Sequence, residues 1–292
     1  MPTDAAYLSI GEVAKLTGVN PITLRAWQRR FGLVIPARTP KGHRLYSDAQ
    51  VLQIKEILSW LERGVAISKV KPLLDGGMSD EHHSDDDWQT LATALTNAVM
   101  ELNAAYLQQR LDESCSLYPQ PILNRYLREW LVQLQTQLAL RVDGALLSNW
   151  CQSELTQWLS LRASKLLSQK PPYVLLCRLG AQSPWSEWLL TLELVLSGRY
   201  PQQFGEIANL DLLLLLQPRL QVDAVLIQPA ADSSHKLVTQ AAALKQQLGR
   251  PVLLVGEFAP MLAAADNQVI DIQQAQDDAV ALLNSQLPAR TY

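Results

Sequence analysis

Residues 8–33, Leu8-Ser-Ile-Gly-Glu-Val-Ala-Lys-Leu-Thr-Gly-Val-Asn-Pro-Ile-Thr-Leu-Arg-Ala-Trp-Gln-Arg-Arg-Phe-Gly-Leu33, decide how the N-terminal part of this chain folds. Ser9 is placed to cap a helix over Ile10–Thr17, and Gly18 can end it in the left-handed conformation. Asn20 then caps a second helix, with Pro21 in its first turn, where a missing N–H costs nothing. On that second helix Leu24, Trp27 and Phe31 share one side and form a core face. Ile22, Arg25, Ala26, Arg29 and Arg30 fall opposite and are offered to a partner. Two short helices joined by a tight turn, the second striped with arginine, is how a helix is presented to the major groove of DNA. Arg25 and Arg29 lie one turn apart, so both can reach base edges or phosphates. Taken alone, the same helix also reads as an amphipathic element with a solvated basic face.

The residues that follow favour the nucleic-acid reading. Val34 to Tyr46 reads as a short β-hairpin wing with Pro40-Lys41-Gly42 at its tip. Lys41, His43, Arg44 and Tyr46 add cations and hydrogen-bond donors suited to phosphates beside the helix. Ser47 or Asp48 opens a third helix to about Arg63, with Val51, Ile54, Leu58 and Leu61 inward, and Ser68 opens a fourth to Leu74.

Outward from this head the texture changes twice. Residues 76–87, small and acidic, read as a linker, and His82-His83 within it as part of a solvated tether. Residues 88–170 are rich in Leu, Ala and Gln and predict four or five helices packed as a bundle, with Trp150 and Trp158 in its core. From residue 171 to 292, short apolar runs (Tyr173–Cys177, Asp223–Gln228, Pro251–Gly256) alternate with helical stretches at 185–197, 234–248 and 275–285. That alternation predicts a parallel, doubly wound sheet. Gln202–Ile207 is a candidate second strand, the Leu212 run a helix after it, and Val269–Asp271 a last strand. The expected architecture is thus a winged helix-turn-helix domain at 1–75, a linker, a helical bundle and a Rossmann-like α/β domain.

Charge supports the division. Residues 1–75 hold eleven Lys/Arg against six Asp/Glu, while the remainder holds 14 against 22. A basic head on an acidic body suits a polyanionic partner for the head alone. The three cysteines, Cys115, Cys151 and Cys177, show no Cys-x-x-Cys or Cys/His ligand spacing, which argues against disulfides and structural zinc. No secretory signal pattern and no apolar run near the roughly 20 residues of a membrane helix is present, so a cytoplasmic location away from membranes is expected. Four scattered histidines and Glu187, Glu193 and Glu257 form no readable catalytic constellation, and no enzyme is expected.

Ile10-Gly-Glu-Val-Ala14, Thr23-Leu-Arg-Ala-Trp27, Gly32-Leu33 with Pro36, Gly42-His-Arg-Leu-Tyr46, Ile54-Lys-Glu-Ile57 and Gly64-Val-Ala-Ile-Ser68 resemble, in order, the DNA-binding domain of the MerR family of bacterial transcription regulators. Trp27-Gln-Arg-Arg30 stands where ordinary members have Tyr-Tyr-Glu, and is similar to the MlrA-like and CarH/LitR-like branch. The resemblance implies a homodimer on near-palindromic promoter DNA, acting with RNA polymerase and a regulatory protein partner, with biofilm- or curli-linked control as in that branch. Thr23, Arg25, Ala26, Arg29, Arg30, Lys41, His43, Arg44 and Tyr46 are the implied DNA contacts.

The rest of the chain resembles the same branch, in which a bundle precedes a cobalamin-binding-type domain. In light-sensing members the loop after the first strand carries Glu/Asp-x-His-x-x-Gly, whose histidine ligates cobalt. Here Ala181, Ser183 and Ser186 stand at the acid, histidine and glycine positions. The Trp-x9-Glu-His pattern of the bundle is missing too. Serine is a poor metal ligand. The sequence therefore leads us to expect no cofactor and no metal, with a cobalamin-dependent light-sensing regulator as the alternative.

Overall fold

The structure is a computed structural model, and it describes residues 7–76, 86–180, 183–216, 219–234, 236–262, 271–272 and 283. Most of the expected linker, including His82 and His83, lies outside the described residues. The chain divides into two compact units, residues 1–150 and 151–292, with the boundary inside a long helix.

The first unit starts with strand β1 (Leu8–Ser9) and helix α1 (Ile10–Thr17). Ser9 and Glu12 exchange hydrogen bonds in a capping box, and Gly18 closes the helix at φ 72°. The Asn20 side chain caps helix α2 (Pro21–Phe31) by accepting from the Ile22 N–H. The wing follows: β2 (Ala37–Arg38) and β3 (Arg44–Tyr46) pair antiparallel, and β3 also pairs with β1, giving the order β1-β3-β2. Gly42 turns the hairpin at φ 83°, a conformation few other residues adopt. A second capping box, Ser47 with Gln50, opens helix α3 (Asp48–Glu62), and α4 (Ile67–Leu74) completes the head.

Four helices follow: α5 (Asp86–Met100), α6 (Ala104–Leu117), α7 (Gln120–Ala139) and α8 (Gly144–Leu166). Trp88, Tyr118 and Tyr126 form an aromatic cluster, with Trp88 stacked on Tyr126 at 4.6 Å between ring centroids. Winged head and bundle are joined through side chains. The Trp27 indole N–H donates to the Leu117 carbonyl at 2.8 Å, and the Arg125 guanidinium donates to the Leu61 and Glu62 carbonyls that end α3.

The second unit holds a five-stranded sheet, parallel throughout: β4 (Tyr173–Leu179), β5 (Tyr200–Ile207), β6 (Ala224–Gln228), β7 (Val252–Leu254) and β8 (Asp271–Ile272). Between them run α9 (Pro184–Leu196), α10 (Asp211–Leu215), α11 (Lys236–Leu248) and α12 (Ala259–Leu262). The strand order β5-β4-β6-β7-β8 is the doubly wound order in which the second strand flanks the first. Period-2 alternation assigns the faces. Leu175, Cys177, Val225 and Ile227 pack with Leu237, Ala241 and Leu244 of α11. Val174, Leu176, Ala224 and Leu226 pack with Leu190 and Leu194 of α9. The C-terminal part of α8 belongs to this unit. Trp158 is buried there, and the Trp188 indole N–H donates to the Leu155 carbonyl at 3.0 Å. Of the helix expected at 275–285 only Leu283 is described, helical and buried.

Candidate nucleic-acid interface

Helix α2 turns one stripe to solvent. Ile22, Arg25 and Arg29 are exposed on it, and the two arginines sit four residues apart, about 6 Å along the axis. Nothing in the described head neutralises either guanidinium through an ion pair. Two planar donors one turn apart on a solvent-facing stripe suit guanine edges or phosphates.

Ala26 is in a different place from the one the helical pattern suggests, and Thr23 from the one the resemblance implies. They are 4% and 1% exposed, in the core, and cannot touch DNA in this conformation. The reason is α6. Thr23, Trp27 and Arg30 form a stripe at i, i+4 and i+7, with Ala26 beside it. Trp27 bonds to Leu117 on that side, and Arg30 Nη2 meets Glu113 Oε1 at 2.6 Å. The second Glu113 oxygen lies 2.6 Å from Arg110 Nη1, so one carboxylate sits between two arginines.

The wing brings Lys41 and His43 to its exposed tip. Arg44 is half-buried, and its Nε donates to Gln28 Oε1 at 2.9 Å, bracing the wing against α2. Tyr46 corrects a second expectation. Its side chain is fully buried, and burial raises its phenol pKa despite the opposing pull of Arg44 and Arg25. It is a core residue of the head, because alternation along β3 turns Tyr46 inward. Arg38, exposed on β2, is a further cation beside the tip that the reading of the wing passed over. Gln28, Glu113 and Leu117 were also missed: the first looks like any polar helix residue, and the other two lie more than 80 residues from α2.

Residues 8–77 match the family profile described as MerR HTH family regulatory protein. This head is a MerR-family domain. Proteins similar to the chain include the HTH-type transcriptional regulator MlrA of Salmonella typhimurium, 43% identical over 114 residues, which are 39% of this chain and 46% of that protein. MlrA of Escherichia coli is 42% identical over 123 residues, 42% of this chain and 49% of that protein. The HTH-type transcriptional repressor CarH of Myxococcus xanthus is 34% identical over 110 residues, 36% of this chain and 37% of that protein. The chain thus spans less than half the length of these curated relatives. Among solved structures, a novel cobalamin-binding protein from Desulfitobacterium hafniense aligns at 13% identity and a TM-score of 0.35, covering 67% of this chain and 98% of that one. The methanol:cobalamin methyltransferase complex of Methanosarcina barkeri aligns at 12% identity and a TM-score of 0.33, covering 78% and 91%. Likeness at this level carries nothing about the ligand of the present chain.

The C-terminal unit has its own concave region. In a doubly wound sheet the crevice lies at the carboxyl ends of the strands where their order reverses, here β4 and β6. Gly180 at φ 67° ends β4, and an added Cβ there would stand 3.0 Å from that of Ala230. Arg178 Nη1 pairs with Glu187 at 2.8 Å, and the buried Gln228 amide donates to Ser186 Oγ at 3.1 Å. A cavity of about 300 Å³ opens beside the ion pair, lined by Gln152, Arg178, Glu187, Trp188, Thr191 and Gln203 among others. Ser183 is exposed, and Ala181 lies outside the described residues. The described side chains do not fit an axial cobalt ligand. Serine hydroxyls coordinate cobalt poorly, and His43, the only histidine among the described residues, is in the wing. His235 lies outside them.

Proposed function

We propose that the chain is a transcriptional regulator that binds promoter DNA as a homodimer, with α2 in the major groove and the wing on the flanking backbone. The observation that carries this reading is the exposed pair Arg25 and Arg29 on α2, next to the exposed wing tip of Lys41 and His43. Arg25 and Arg29 read the half-site, while Lys41, His43 and Arg38 neutralise phosphates. Arg44 acts through Gln28, holding the wing at a fixed angle to α2. The second unit serves regulation, through RNA polymerase or a partner protein. The test is the salt dependence of DNA affinity. Lys41→Ala weakens binding evenly across sequences and lowers the slope of log affinity against log salt by about one. A change of sequence preference in that variant would contradict the assignment of wing and helix.

A second reading makes the C-terminal unit a cobalamin-responsive sensor. The crevice at the carboxyl ends of β4 and β6 supports it. Serine at positions 183 and 186 weighs for a regulator that works without the cofactor. The absorption spectrum of the full chain after incubation with cobalamin decides between the two. A retained corrin band with a light-dependent change of oligomer selects the sensor, and its absence selects a regulator driven by protein contacts.

A further inference from the structure

Arg30 is the cation on α2 that the fold has taken out of circulation. It lies next to the DNA-facing stripe, its side chain is 40% exposed, and its guanidinium is held at 2.6 Å by Glu113 of α6. Glu113 is itself only 18% exposed and is fixed from the other side by Arg110. The same stretch of α6 supplies the Leu117 carbonyl that seats Trp27, so α2 and α6 are joined by one neutral and one charged bond a turn apart.

We propose that Glu113 is a determinant of DNA affinity in this protein: it withholds Arg30 from the phosphate backbone, so that binding strength depends on how α6 sits against α2. A guanidinium paired with a partly buried carboxylate releases no counterion when DNA arrives, whereas a free one releases about 0.9 per phosphate contacted. Any shift of α6 that separates Glu113 from Arg30 therefore adds a phosphate contact at the edge of α2. The bundle thereby tunes the head through one exchange of partners, carboxylate for phosphate. The inference rests on α2 being the DNA-reading helix, and the experiment separates the two claims.

The full chain is titrated by fluorescence anisotropy with a mixed-sequence duplex over a range of salt concentrations, since counterion release needs no knowledge of the operator. Arg30→Ala is expected to leave the salt slope as in the wild type, because Arg30 is not on the DNA. Glu113→Gln is expected to steepen the slope by about 0.9 and tighten binding severalfold at low salt. The double variant returns the slope to the wild-type value. A slope lowered by about one in Arg30→Ala would overturn the proposal, since Arg30 would already be on a phosphate. A double variant that stays steep would overturn it too, by making Arg110 the source. If Glu113→Gln fails to fold, Glu113→Ala serves in its place, and a slope that stays at the wild-type value in the folded variant overturns the proposal. Should Arg25→Ala and Arg29→Ala leave duplex binding untouched, the reading of α2 fails and the role of Glu113 with it; binding weakened in those variants with an unchanged slope in Glu113→Gln overturns the role of Glu113 alone.

Discussion

The indole N–H of Trp27 donates to the carbonyl of Leu117, 90 residues further along the chain, at 2.8 Å with both residues buried. This bond joins α2, the helix proposed to read DNA, to the helical bundle. The position of α2 is therefore set by the bundle as well as by the head. Trp27→Phe keeps most of the ring volume but leaves a buried carbonyl without its donor, at a cost of about 1–3 kcal/mol. Urea unfolding should show the loss in the transition of the first unit, and DNA affinity should fall with it. An unchanged midpoint would mean that the bond does not hold the two parts together.

Tyr46 gives the opposite prediction. Its buried hydroxyl finds no hydrogen-bond partner among the described residues, so Tyr46→Phe removes a desolvated polar group. Stability should be unchanged or higher by about 1 kcal/mol, and the salt slope of DNA binding should not move. A weakened complex would return the phenol to the DNA surface.

The turn between α7 and α8 depends on Gly144. A Cβ there would run into the backbone carbonyl of Leu138, so backbone would have to shift. Gly144→Ala should cost about 1–3 kcal/mol by overpacking, read as a lower thermal midpoint. No loss would show that the α7–α8 turn opens without strain.

The cysteines divide by burial. Cys151 and Cys177 are buried, and burial pushes both thiols up to about 12, while Cys115 is only half-buried. Alkylation of the native chain at mildly alkaline pH should label Cys115 first and spare the other two. Raised pKa values mean that the folded chain holds these protons more tightly than the unfolded one. Their contribution to stability is thus complete below the ordinary thiol value near 9.0 and falls as pH rises toward 12. Rapid labelling of Cys177 would indicate that the sheet opens locally.

Much of this fold is written locally in the chain. Ser9 with Glu12, Asn20 with Pro21, and Ser47 with Gln50 are helix starts that need only neighbouring residues, and α1, α2 and α3 begin where those residues say. The central strands also stand where their apolar runs lie, although β7 is shorter than its run: Val255 still donates to Ile227 of β6, and the chain bends at Gly256. What the sequence hides is which side of α2 is already taken. Ala26 looks available on a helical wheel of residues 21–31, and Thr23 in the family pattern, because the packing that buries both is not written in the local sequence. Glu113 is hidden for the same reason: one acidic residue on a mixed polar helix acquires its meaning only when Arg30 is beside it.

The central claim is that the exposed stripe of α2 reads DNA, and footprinting tests it most directly. The full chain, wild type and Arg25→Ala/Arg29→Ala, is footprinted at moderate salt across the promoter regions flanking its own gene. The account predicts a protected near-palindromic site for the wild type and loss of that protection in the double variant, with the fold intact by circular dichroism. Protection of no site by the wild type, or of the same site by the double variant, would contradict it.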